Sequence, residues 1–349
     1  MLILGIETSC DETSAAVVEE TGDTSKPWVV RSNIVASQVA IHREWGGVVP
    51  ELASRQHIRD ICGVVERSLD EAKATWADLG AVAVTQGPGL VGSLLVGVSF
   101  AKSAAAAAGL PLVAVHHLAG HIESLVLQNG ELPLPAIVLV VSGGHTSLYL
   151  VEKPGHYQLL SRTRDDAAGE AYDKVAKLLG LGYPGGPVID RLARTGNDRA
   201  IPLPTTRLTH ADRNAPELKG DLDFSFSGLK TAVLRHVRKG RKGPLSDREI
   251  ADICASFQRV VVTGLLDRLF DAARRYQAKS VGIAGGVSAN SRLRAELADR
   301  GVRREMLTFL PSLALSTDNA AMIAAAGLRK FRAGATASMD LNADAALVL

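Results

Sequence analysis

Two histidines one helical turn apart give this sequence its sharpest chemical signal. Val115-His116-His117-Leu118-Ala119-Gly120-His121 puts His117 and His121 at i and i+4. On a helix both rings then leave the same face and can hold one metal ion. His116 is five positions from His121 and points away. Two imidazoles rarely complete a site, so an acidic third ligand is expected from elsewhere. Asp318, in Ser316-Thr317-Asp318-Asn319 at the start of the last helix, is the candidate. The rival account of the pair is chance spacing of surface histidines. Zincin-type proteolysis is disfavoured, because it needs a glutamate directly after the first histidine to activate water. Leu118 stands there, and Glu123 falls beyond the second histidine on another face.

The elements that must position these residues read as alternating strands and helices. Leu2–Glu7 predicts a buried strand, Thr8–Thr13 a polar turn and Ala15–Val18 a second strand. The same order of events recurs at Ala136–Val141, Ser142-Gly143-Gly144-His145-Thr146 and Ser147–Val151. Two such hairpins suggest related halves whose small polar turns grip phosphate through backbone N–H groups. Two unrelated hairpins would read the same way. Ala81–Thr85 predicts another strand, and Gly87-Pro88-Gly89-Leu90-Val91-Gly92 opens a helix to about Ala108. This matches a dinucleotide fingerprint in its glycines. However, the following strand, Leu112–Val115, ends in histidines instead of a ribose-binding acid. The glycines are therefore read as allowing close strand–helix packing. Packing in its own core is likewise preferred to a partner-binding face for this helix.

Farther on, Ser246 and Glu249 form a capping box. Ile250, Ile253, Phe257, Val261, Leu265 and Leu269 then carry a helix to about Tyr276. Ser280–Ala284 predicts a strand leading into Gly285-Gly286-Val287-Ser288-Ala289-Asn290. Such a turn at a strand's carboxyl end is where open α/β sheets take ligands, with glycine leaving room for a flat group and Asn290 able to read a polar edge. Arg194–Asp223 predicts an irregular excursion.

Composition sets the outer limits. The chain's 349 residues suit two domains, and 46% hydrophobic with 22% charged residues is globular. A net charge of +2 excludes a general polyanion-binding surface. Local clusters must then carry any nucleic-acid contact: Arg235–Lys242, with five positive charges in eight residues, and more weakly Arg303-Arg304 and the Arg194–Asp223 excursion. Cys10, Cys62 and Cys254 form no CxxC pair, which argues against a disulfide framework and fits a reducing cytoplasm. No signal peptide or membrane span is expected, since Lys102 and Pro111 interrupt the Ser99–Val115 stretch.

Taken together, the motifs resemble the universal tRNA threonylcarbamoyltransferases, TsaD in bacteria. They are GIETSCDET from Gly5, GGVVPELASRQH at Gly46–His57, GPGLVGSLLVG, HHLAGH, VSGGHT, DDAAGEAYDKVAKLLGLGYPGGP, DFSFSGLKT, GGVSAN and STDNAAM. The resemblance runs from Ile3 to about Lys330. It implies an α/β fold of the two-lobed actin-like ATPase and sugar kinase (ASKHA) type, with duplicated RNase H-like domains and a nucleotide cleft between them. The lobes would be 1–130 plus 318–349, and 131–317. It also implies transfer of threonylcarbamoyl from threonylcarbamoyl-AMP to the exocyclic amine of the adenosine beside the anticodon, in the cytoplasm.

By the same resemblance His117, His121 and Asp318 match metal ligands for iron or zinc. Val140, Val141, Ser142, Gly143 and Gly144 match the phosphate-side loop, and Asp173, Gly186, Asp190 and Asn290 surround ribose and adenine. Glu12, beside Asp11, is the candidate for handling the amine proton or positioning the acceptor. ATP, ADP or AMP could occupy the cleft. The implied partners are tRNA, a TsaB-like paralogue and a TsaE-like ATPase. An ASKHA-type ATPase or kinase, or a non-catalytic nucleotide-binding regulator, remains the alternative.

Overall fold

The run Leu2–Glu7 forms strand β1 at the middle of a five-stranded sheet, buried from Ile3 onward. A strand covered on both faces needs apolar residues at every position, not at alternate ones. Its neighbours are β2 (Glu12–Glu20), β3 (Trp28–Ser37), β4 (Leu79–Gly87) and β5 (Leu112–His116), in the order β3-β2-β1-β4-β5. A second sheet holds β6 (Ala136–Val141), β7 (Thr146–Lys153), β8 (His156–Arg162), β9 (Ser280–Ala284) and β10 (Leu307–Phe309), in the order β10-β9-β6-β7-β8. This computed structural model describes residues 1–23, 25–208, 210, 218, 220–238 and 243–349.

Numbered from their own first strands, the two sheets have one and the same order. In each, the central strand pairs antiparallel with the next strand in sequence and parallel with the fourth. Unrelated hairpins would not share a full crossover topology, so the duplication expected from the turns is real. One compact unit comprises Met1–Leu132, Pro154–Tyr157 and Pro311–Leu349; the other comprises Pro133–Lys153 and Gln158–Leu310.

In the first unit the helix Ala320–Arg332 lies hard against β1 because both surfaces are small. A Cβ on Gly5 would sit 2.7 Å from the Ala324 nitrogen and collide with the Ala320 carbonyl. The helix Val91–Ala108 is long and apolar enough to cross a bilayer by length and composition. Its Val98, Ala101 and Ala105 are buried in one core with Val82 and Val84 of β4, while Val91 and Leu95 are exposed, so core packing covers one face of the helix only. Each fully buried valine there contributes about 1.5–3 kcal/mol and each alanine methyl less.

The glycines before this helix do something other than expected. Gly87 faces the backbone of Asp344, and a Cβ on Gly89 would lie 2.6 Å from the Ser9 carbonyl oxygen. They admit neighbouring main chain, while Gly92 meets Ser54 of the helix Pro50–Ala72 and Gly97 meets Thr8.

In the second unit the capping box at Ser246 and Glu249 is formed, and the helix runs Asp247–Arg275. Ile253, Phe257, Val261, Leu265 and Leu269 are buried, as their spacing predicts. Of the basic cluster, Arg235 and Arg238 stand on the helix Ser227–Arg238, and residues 239–242 lie outside the described residues. The irregular excursion buries Ile201 and Leu203; residues 209, 211–217 and 219 within it are likewise outside.

Candidate functional site

The HHLAGH segment begins the helix His117–Asn129 where β5 ends. The N-cap is His116, whose Nδ1 accepts the Leu118 N–H at 3.1 Å. That start puts His117 and His121 on one face, with ring centroids 4.7 Å apart. Asp318 arrives from the segment before the helix Ala320–Arg332. Two groups pin that helix start. Asn319 Oδ1 accepts the Met322 N–H at 3.1 Å, and Ser14 Oγ of β2 accepts the Ala320 N–H at 2.8 Å. The helix N-terminus favours a carboxylate beside it.

The three expected ligands converge. Oδ1 of Asp318 lies 3.2 Å from His121 Nε2 and 3.6 Å from His117 Nε2. All three donor atoms fall within 4.8 Å of one another. Donors about 2.1 Å from a tetrahedral ion are separated by about 3.4 Å, so the spacing fits a cation.

Two further observations test that fit. Neither ring nitrogen of the buried His121 has hydrogen-bond geometry to a partner among the described residues. Nε2 has the Asp318 carboxylate 3.2 Å away but off hydrogen-bond geometry, and a buried imidazole so poorly satisfied is costly unless something else completes its contacts. Moreover, His117 Nδ1 is held 3.0 Å from Oε2 of Glu7, which leaves Nε2 for the ion. Burial opposes charge on His117, yet the Asp318 and Glu7 carboxylates outweigh it and raise its pKa to about 9. Burial lowers the pKa of His121 and so favours its neutral form.

Sequence reasoning passed over Glu7. It is fully buried at the end of β1, where Oε1 accepts the Ser9 N–H and Oε2 accepts Thr85 Oγ1–H at 2.7 Å. The signal was an acid closing an otherwise apolar strand. Asp11 closes the adjoining turn and Glu12 opens β2, where Ser37 Oγ donates to Glu12 Oε1 at 3.3 Å. Burial, then the neighbouring Asp11 and Asp318, push the Glu12 carboxyl well above the usual range.

The second unit gathers most of the other expected residues. Val140 and Val141 end β6, and Ser142-Gly143-Gly144 turns back, with the Ser142 N–H donating to the His145 carbonyl at 2.8 Å. Space opens around the Cα of Gly143, Gly144 and Gly186. The Gly285 turn backs onto β6, where a Cβ would lie 2.5 Å from the Val141 oxygen. Asp173 Oδ1 accepts the Gly185 N–H at 2.7 Å and so caps the helix Gly185–Ala193.

Asp190 and Asn290 join through a residue missed in the sequence, Gln258. Its Nε2 donates to Asp190 Oδ1 at 3.1 Å, and its Oε1 accepts from Asn290 Nδ2 at 2.8 Å. Asn290 Oδ1 meanwhile caps the helix Ser291–Arg303 through the Leu293 N–H. A buried glutamine among Phe257 and Val261 was the available clue.

The family model described as tRNA N6-adenosine threonylcarbamoyltransferase matches residues 29–325. The chain belongs to this family. It is 52% identical over 347 residues to the tRNA N6-adenosine threonylcarbamoyltransferase of Anaeromyxobacter sp. (strain Fw109-5), covering 99% of both chains. With the transferase of the same description from Thermodesulfovibrio yellowstonii it shares 50% over 354 residues, covering 100% of each.

Among solved structures, HypF of T. kodakarensis superposes with a TM-score of 0.61 at 14% identity, over 95% of this chain and 48% of that one. Component A of the (R)-2-hydroxyglutaryl-CoA dehydratase of Acidaminococcus fermentans gives 0.52 at 16% identity, over 96% and 100%. These likenesses show the fold, that of the actin-like ATPases. The membership makes this chain a tRNA-modifying transferase, and its His117, His121 and Asp318 lie close enough together that they could hold a metal.

Proposed function

We propose that the chain moves a threonylcarbamoyl group from threonylcarbamoyl-AMP to the N6 amine of the adenosine beside the tRNA anticodon, in the cytoplasm. The amine nitrogen attacks the carbamoyl carbon, the bond from that carbon to the AMP phosphate oxygen breaks, and AMP leaves with the electron pair. AMP is already a good leaving group, so orientation and exclusion of water are the main demands. The observation that carries the reading is the convergence of His117, His121 and Asp318 in a chain of this family.

His117, His121 and Asp318 would hold a zinc or iron ion. Bound there, it supplies a Lewis acid with open positions for donor oxygens. Glu7 keeps the His117 ring oriented. Glu12, in its carboxylate form, takes the amine proton as the C–N bond forms, with Asp11 beside it. Val140, Val141, Ser142, Gly143 and Gly144 accept the donor phosphate along an open turn. Asp173, Gly186, Asp190 and Asn290 take the ribose and adenine, and the same residues admit ATP, ADP or AMP. The reading assigns the metal to the lobe 1–130 with 318–349 and the nucleoside to the lobe 131–317. A TsaB-like paralogue and a TsaE-like ATPase are the partners it implies.

The test supplies purified chain, with and without those partners, with threonylcarbamoyl-AMP and unmodified tRNA. Modified adenosine in digested tRNA, lost with His117→Ala, supports the proposal. Phosphate release from ATP alone would select an ATPase, and nucleotide binding without any turnover a regulator.

A further inference from the structure

The segment Ala337–Leu347 returns across the first unit on a series of main-chain contacts. The Ala337 N–H donates to the Leu112 carbonyl at 2.7 Å, and Lys102 Nζ donates to the Leu341 carbonyl at 3.0 Å. The Asp344 N–H then donates to the Gln86 carbonyl at 2.9 Å, and the Gly89 N–H to the Ala345 carbonyl at 3.4 Å. Gly87 lacks a side chain where the Asp344 carbonyl crosses it, and a Cβ there would also meet Leu347 Cβ at 3.1 Å. Finally, His116 Nε2 donates to the Leu347 carbonyl at 3.1 Å. Ala337, Leu341 and Ala343 pack half-buried against the core of the unit, while Asp344, Ala345 and Ala346 are exposed, so beyond Ala343 main-chain contacts hold the stretch.

Two routes lead from it to the metal ligands. The first passes through His116. Donation from Nε2 to Leu347 fixes the tautomer in which Nδ1 is bare, and bare Nδ1 is what caps the helix at Leu118. His117 is the first residue of that helix. The second passes through the Gly87-Pro88-Gly89 loop, because the Leu90 N–H donates to the Ser9 carbonyl at 2.8 Å and Gly89 rests on Ser9. Ser9 in turn touches both Glu7 and His117, its Oγ lying 3.2 Å from His117 Nδ1.

We propose that Ala343–Leu347 is a strap that sets the ring positions of the metal centre, with His116 as the positioning residue through which it acts. This rests on the reading of His117, His121 and Asp318 as metal ligands. The strap holds the start of the ligand-bearing helix and the backing of Ser9.

The test compares the full chain, a chain truncated after Ala343, His116→Phe, His116→Asn and His117→Ala. Zn2+ affinity is read by competition with a chromophoric chelator, Co2+ geometry by its visible spectrum, and folding by circular dichroism. Truncation and His116→Phe should each weaken Zn2+ binding about 10–100-fold, as loss of an outer-shell contact does, and alter the Co2+ spectrum while the fold persists. His116→Asn, which keeps a capping oxygen, should recover much of the affinity. Truncated chain with wild-type Zn2+ affinity and Co2+ spectrum overturns the strap. Should truncation prevent folding, wild-type affinity in His116→Phe overturns it instead. His117→Ala separates the two readings: if it too binds like wild type, the metal site itself is wrong, whereas its loss beside intact binding by the truncated chain sinks the strap alone.

Discussion

The Glu7 carboxylate sits with Oε2 3.0 Å from His117 Nδ1, at the end of a strand whose other residues are apolar. It also takes hydrogen bonds from Thr85 and Ser9, so its position is determined from three directions. A carboxylate that accepts Nδ1–H fixes the tautomer and raises the basicity of Nε2. Glu7→Gln keeps the volume but loses the charge. It should weaken metal binding about 10–100-fold, measured by chelator competition. Undiminished affinity would leave Glu7 a structural group only.

A second ion pair joins the helix that carries His117 and His121 to the helix that follows Asp318. Arg329 Nη2 donates to Glu123 Oε2 at 3.0 Å, with the guanidinium 4.7 Å from the Trp28 ring centre and Tyr157 donating to the same carboxylate. Glu123 shares its helix with His117 and His121, and Arg329 is on the helix that follows Asp318. Arg329→Met should destabilise the fold by about 3–5 kcal/mol in chemical denaturation, because it strands a buried carboxylate. Adding Glu123→Leu should restore most of that loss. Equal instability of the single and double variants would show that the charge was not the cause.

His57 predicts a pH dependence. Its Nε2 donates to the Cys10 carbonyl at 3.0 Å, and Nδ1 accepts from Thr13 Oγ1 at 2.7 Å and from Gln38. Burial, the larger influence, lowers its pKa below 6.5 against the pull of the Cys10 carbonyl. A base depressed in the folded state binds fewer protons there than in the unfolded chain. Its contribution to stability is therefore complete above the ordinary histidine value and is lost as pH falls below it. His57→Asn should flatten the decline in denaturation free energy from about pH 7.5 to about pH 5.5. A decline as steep as that of wild type would assign it to other groups.

Gln258 bridges Asp190 and Asn290 inside the second unit. Gln258→Leu removes both partners at a buried position and should cost about 1–3 kcal/mol of stability. It should also weaken AMP binding, read by calorimetry, if Asp190 and Asn290 hold the nucleoside. Unchanged AMP affinity in the folded variant would separate the network from the ligand.

Local order in this protein was legible in its residues. The i, i+4 histidines, the Ser246 capping box and the strand Ser280–Ala284 stand where their spacing placed them, because dihedral preferences and caps act within a few positions. Asp318 was also reachable, since a metal needs a third donor and the family resemblance matched this acid to that place. Glu7, Gln258, Arg329 and the return of Ala337–Leu347 were not. Each acts through one contact with a segment remote in sequence, and an acid at a strand end or a glutamine in a helix looks the same whether or not that contact exists. Likewise the glycines of Gly87-Pro88-Gly89 read as strand–helix packing until the fold set Asp344 and Ser9 against them. Periodicity fixed which face each element would bury; only chain closure decided which polar groups would meet there.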